Sequence, residues 1–172
     1  MMEAPWTNNT GWKDFLDKLK TFQRPPATWR DAAVIVLAEL DEIKYVTGSE
    51  TWPSATLEDL YERGEIITLA RVMMTDIRNA GVSINEIADM LDRKQRSYGP
   101  RNILKFGAAG LAVRMWDKVA RFVNIRSRKH QDYYFESFED TKIDMVGYVV
   151  VAVMLDRGWF ELPLDPQLDF DE

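Results

Sequence analysis

Two stretches of the chain set charged residues at helical spacing, and together they have the makings of a phosphate site. Arg114, Asp117, Lys118 and Arg121 recur at intervals of three and four, so a helix carries them on one face. That stripe reads either as an exposed ion-pair ladder, worth roughly 0.2–0.5 kcal/mol per pair, or as a preorganised clamp on phosphate oxygens. In the second reading Arg114, Lys118 and Arg121 bind the anion, while Asp117 orients them, completes a metal shell or acts as a base. Further on, Glu136, Asp140 and Asp144 recur every four residues. Three carboxylates on one face repel one another, and the usual relief is a divalent cation such as magnesium, which then polarises phosphate oxygens. Ser137-Phe138-Glu139-Asp140 is also a capping box. With Ser137 as cap, Glu136 falls outside the helix and Asp140 is accounted for by the helix dipole. Asp144, two turns in and flanked by Ile143 and Met145, has no such explanation. It ranks first as a ligand, ahead of Asp140 and then Glu136.

Composition limits what else the chain can do. With 172 residues, 46% hydrophobic and 29% charged, it suits one globular domain. It has no cysteine and one histidine, His130, which leaves oxygen ligands for any metal. Residues 1–10 lack a basic stretch followed by an apolar run, so no signal peptide is expected. The apolar run 145–155 is too short to span a bilayer, and a cytoplasmic location without membrane partners is expected by default. The net charge is −6, but residues 93–130 contain eleven Lys/Arg against the single acid Asp117. That segment carries +10, so the remainder carries −16. Such a field draws anionic ligands, a nucleotide or a nucleic-acid backbone, unless it is spent packing against the acidic remainder.

The elements that must position these residues are legible from their punctuation. Thr28-Trp29-Arg30-Asp31 opens a helix reaching about residue 45, with Gly48 beyond it. Thr56-Leu57-Glu58-Asp59 opens another towards residue 80, with Gly64 able to kink or divide it. Gly81 is a C-cap, and Ser83 starts a helix to about residue 96 that Ser97-Tyr98-Gly99-Pro100 breaks. Helices over about 103–123 and 137–156 follow, the latter closed by Gly158. Residues 1–27 form an N-terminal arm with Trp6, Trp12, Phe15 and Leu19 and one short helix, and 162–172 form an acidic, extended tail. No segment alternates with a period of two, so the expected architecture is an all-α, single-domain helical bundle of about five to seven helices. The helices at 103–123 and 137–156 are joined closely enough to be antiparallel neighbours, which lets their polar faces meet in a pocket.

Lesser signals have plainer readings. Met73, Met74 and Met90 fall in helical patterns and suit the core. Tyr133 and Tyr134, beside Arg126, Arg128 and Lys129, either stack on bases or decorate a loop. Gly107-x-x-Gly110 lacks the strand and lysine of a phosphate-binding loop and lies in a helical pattern.

The ordered series Tyr98-Gly99-Pro100-Arg101-Asn102-Ile103, Gly110-Leu111, Arg114-x-x-Asp117-Lys118-x-x-Arg121, Glu136-Ser137-x-x-Asp140-Thr141-x-x-Asp144 and Gly147-Tyr148 resembles the nucleotide modification associated domain of phages and bacteria. The resemblance spans residues 94–155. One departure is Ser97, where family members often carry an acid before the Tyr-Gly pair. It implies a helical protein of nucleotide or modified-base metabolism, and adds Lys94 and Tyr98 to Arg114 and Arg121 as substrate-binding residues. The arrangement is also similar in logic to the all-helical nucleoside triphosphate pyrophosphohydrolases. Glu39-x-x-Glu42 matches half of their carboxylate pattern, but the spacing of Glu136 and Asp140 departs from the other half, and Glu39 and Glu42 also read as a solvated helix face.

Three functions fit these observations. The leading one is a magnesium-dependent enzyme acting on a nucleoside phosphate, with Asp117 and Lys118 catalytic and Asp144, Asp140 and Glu136 on the metal. The second is a non-catalytic nucleotide-binding module or an aid to a DNA-modifying partner. The third is a helical adaptor whose carboxylates pair directly with Arg114 or Arg121. The sequence leaves the oligomeric state open, a homodimer included.

Overall fold

A computed structural model describes residues 3–21, 24–128 and 137–166. Among the described residues there are eight α-helices, one short 3-10 turn and no strand, so the protein is an all-α, single-domain bundle.

Helix α1 (Thr10–Leu19) starts at Asn9, whose side chain accepts from the Trp12 N–H. Its apolar positions, at spacings of three and four, bury Trp12, Phe15, Leu16 and Leu19 against α4 (Ile66–Asn79). The expected N-terminal arm is therefore part of the core, Trp6 included. Helix α2 (Trp29–Asp41) is capped by Thr28, as its capping box requires. It ends four residues before the expected limit, because the Tyr45 N–H turns to Thr75 Oγ1 at 3.2 Å. After the 3-10 turn Ser49–Thr51, α3 (Ser54–Glu62) begins behind Pro53, two residues before the Thr56 box. Proline fixes the dihedral that launches the first turn. Gly64, at φ 74°, then separates α3 from α4. A Cβ there would lie 2.1 Å from the Pro5 carbonyl oxygen, so only glycine admits this approach.

Ser83 caps α5 (Ile84–Tyr98) by accepting from the Glu86 N–H. The helix expected over 103–123 is two pieces, α6 (Arg101–Leu104) and α7 (Gly107–Ser127), parted where Gly107 takes φ 57°. This division and the one at Gly64 raise the helix count above the expected range. Helix α8 (Phe138–Arg157) is capped by Ser137 and closed by left-handed Gly158.

Helix α8 is the axis of the bundle, packing on α7, α4 and α2, while α5 packs on α2. Met145, Val146, Val149, Val150, Val153 and Met154 are each at most 2% exposed, and their spacing makes them a broad stripe along one side of the helix. At roughly 1.5–3 kcal/mol per buried side chain, this burial fixes where α8 sits. Its polar residues must then be met by partners. Lys118 of α7 meets Asp144 of α8 and Phe122 meets Phe138, so residue numbers rise along one helix as they fall along the other. The two helices are antiparallel. No helix among the described residues is long and apolar enough to cross a membrane.

Candidate functional site

Asp144 lies where three helices converge, its side chain 12% exposed. Lys118 of α7 reaches its Oδ2 at 2.9 Å, and Lys94 of α5 pairs with its Oδ1. Burial pushes the Asp144 carboxyl upward, but hydrogen bonds and charge from Lys94 and Lys118 outweigh burial and hold it below the usual carboxylate range. Asp144 is thus an ionised tie between two cations.

Beside this tie opens a cavity of about 350 Å³. Lys94, Arg114, Lys118 and Asp144 are its charged walls. Arg114 stands one helical turn before Lys118 and is half-buried, yet among the described residues it has no hydrogen-bond or ion-pair partner. Gln95 and Asn102 also line the cavity, and their side-chain amides likewise make no hydrogen bond among the described residues. Trp29, Tyr98 and Tyr148 add aromatic surface, and Leu91, Ile103 and Val151 add aliphatic surface. Tyr98 stands at the rim, 71% exposed. Gly147 keeps α8 close to α5, since a Cβ there would fall 2.7 Å from Leu91 Cδ2.

Five of the expected residues, Lys94, Tyr98, Arg114, Lys118 and Asp144, line this cavity. The others do not join them. Asp117 is exposed outside the cavity, and its charge acts instead on Tyr61 of α3. The Tyr61 hydroxyl is pushed upward by burial first, then by Glu62 and Asp117, and it donates to the Ala112 carbonyl at 2.6 Å. Arg121, a turn beyond Lys118, is half-buried with contacts of its own and does not line the cavity. Asp140 is exposed in the first turn of α8, where its N–H donates to Ser137 Oγ at 3.0 Å, as capping required. Glu136, together with Lys129, His130, Tyr133 and Tyr134, lies outside the described residues.

Among the described residues, no three His, Cys, Asp or Glu side chains gather as a metal cage. Both oxygens of Asp144 face ammonium groups, so a divalent ion placed there would meet two positive charges at close range. The direct pairing expected of an adaptor is present, with lysines in place of Arg114 and Arg121, but it leaves a cavity open. Glu39 is buried and 3.7 Å from Lys18 rather than solvated, whereas Glu42 is exposed.

Sequence reasoning passed over Trp29 and Gln95. Trp29 is far away in the chain and gives no local signal. Gln95 had one, because Leu91, Lys94, Gln95 and Tyr98 share a face of α5 at intervals of three, one and three. A second polar cluster was also passed over. Lys142 of α8 lies 3.1 Å from Asp76 Oδ2 and 3.1 Å from Glu139 Oε1, and Asp76 accepts from both the N–H and hydroxyl of Ser49. That cluster fastens the 3-10 turn to α4 and α8.

The chain matches no protein-family model, no curated protein and no solved structure.

Proposed function

We propose that the cavity between α5, α7 and α8 binds a nucleoside phosphate, and that the protein handles nucleotides in base-modification metabolism. The observation that carries this reading is Arg114, a half-buried guanidinium without a partner among the described residues, on the wall that also holds Lys94 and Lys118. A guanidinium so placed offers a planar fork of donors suited to phosphate oxygens. Aromatic side chains and two amides on the same cavity suit a nucleobase. The resemblance to the nucleotide modification associated domain points the same way.

Binding, rather than a carboxylate-metal centre, is what this geometry supports best. Since the Asp144 oxygens are taken up by lysines, magnesium would enter the cavity only if a polyphosphate carried it in as its own counter-ion. The test is thermal unfolding with a panel of ribo- and deoxyribonucleotides, with and without magnesium. A nucleotide at one hundred times its Kd stabilises the protein by about 2.7 kcal/mol. The absence of a shift with every nucleotide, with and without metal, overturns the reading.

A further inference from the structure

We infer that the cavity selects a phosphomonoester dianion, a nucleoside monophosphate, and holds it without a metal. The inference rests on the nucleotide reading above and goes on to name the phosphate number.

The reasoning is a matter of charge and room. Lys94, Arg114 and Lys118 contribute three positive charges to the cavity wall and Asp144 one negative, and among the described residues no other lining residue is charged. The wall therefore carries a formal +2. A phosphomonoester carries about −1.5 to −2 at pH 7, so its burial there leaves almost no net charge. A phosphodiester leaves positive charge uncompensated, and a free triphosphate leaves a negative excess, each at the cost of a charge withdrawn from water. A magnesium triphosphate balances in charge but not in bulk. The cavity, at about 350 Å³, lies near the bottom of the roughly 300–1,000 Å³ range of ligand pockets.

The donors divide accordingly. Asp144 takes one N–H from each lysine and fixes both ammonium groups, while the fork of Arg114 stays available for two phosphate oxygens. On the same cavity, the amides of Gln95 and Asn102, without hydrogen-bond partners among the described residues, each offer a donor and an acceptor, the functionality of a base edge. Tyr98, 71% exposed on the cavity lining, is an aromatic ring free of tight packing and suited to stacking on a base.

The experiment is titration calorimetry of the full chain with the four deoxynucleoside monophosphates, their nucleosides, their triphosphates and inorganic phosphate, in chelator and in magnesium. The expected result is that a monophosphate binds equally with and without magnesium, and at least 100-fold more tightly than its nucleoside. Arg114→Ala weakens it by about 10- to 100-fold, corresponding to about 1.4–2.8 kcal/mol, with circular dichroism confirming the fold. Gln95→Ala, which spares every charge, weakens the monophosphate and leaves inorganic phosphate unaffected. Binding of triphosphates alone, dependent on magnesium, overturns the inference and leaves the nucleotide reading standing. Binding of inorganic phosphate alone, or of no ligand at all, overturns both.

Discussion

Lys118 Nζ lies 2.9 Å from Asp144 Oδ2, tying α7 to α8 at the one acidic side chain that the described residues place on the cavity wall. Lys94 closes the tie from α5, so a single carboxylate holds three helices. Asp144→Asn removes the charge but keeps the shape. Hydrogen bonds to a charged group are worth about 1.5–3 kcal/mol. Lys94, however, is 48% exposed, and its share is screened by solvent. The variant is expected to lose about 1–2 kcal/mol in urea denaturation, while binding phosphate at least as tightly as the wild type. Loss of anion binding in a folded Asp144→Asn protein would show instead that Lys94 and Lys118 bind an anion only while Asp144 holds them in place.

The same tie dictates a pH dependence. The folded-state pKa of Asp144 is lowered, so its stabilisation is present above the unfolded carboxylate value of about 3.9. It disappears as pH falls through the lower folded value. The stability gap between wild type and Asp144→Asn should hold from pH 7 to about 5 and close below about 4. A gap that widens on acidification would contradict the assignment.

How far the sequence foretold this site depends on whether partners are local. Ser137, Thr28 and Ser83 each cap a helix because cap and N–H lie three residues apart, and such pairs can be read directly. The Arg114–Lys118 face was visible for the same reason. That Asp117 turns out of the cavity while Arg114 and Lys118 line it was not visible, because a stripe about two residues wide straddles wall and solvent alike. Asp144 could be picked out as a polar residue on an apolar helix, but its partners could not. Lys94 is fifty residues away, on a helix whose place is set by packing on α2. The two helix breaks at Gly64 and Gly107 depend on positive φ, which glycine permits without announcing.

The Asp76 cluster should matter for stability and leave the ligand untouched. Asp76 and Lys142 have side chains 8% and 11% exposed. Removing one partner of such a buried pair costs roughly 3–5 kcal/mol. Glu139, 3.1 Å from Lys142, retains part of the compensation in Asp76→Ala. A loss of about 2–4 kcal/mol is expected by urea denaturation, with nucleotide affinity within twofold of wild type at a temperature where the variant is folded. A loss below about 0.5 kcal/mol, the level of ordinary surface substitutions, would mean the cluster does not fasten the 3-10 turn.

Gly147→Ala separates the shape of the cavity from its charge. Alanine is favoured over glycine inside a helix by about 1 kcal/mol, so propensity alone would make this variant more stable. Against that, the new methyl would fall 2.7 Å from Leu91 Cδ2. Leu91 is 5% exposed, so it has little room to retreat except into the cavity that both residues line. Overpacking costs about 1–3 kcal/mol, which leaves a net destabilisation of up to about 2 kcal/mol. Moving Leu91 into the cavity narrows it without changing any of the four charges. The affinity for a nucleoside monophosphate should therefore fall at least tenfold while that for inorganic phosphate is preserved. Equal loss for both ligands would show instead that α8 shifts as a whole and spreads α5 from α7, separating Lys94 from Arg114 and Lys118.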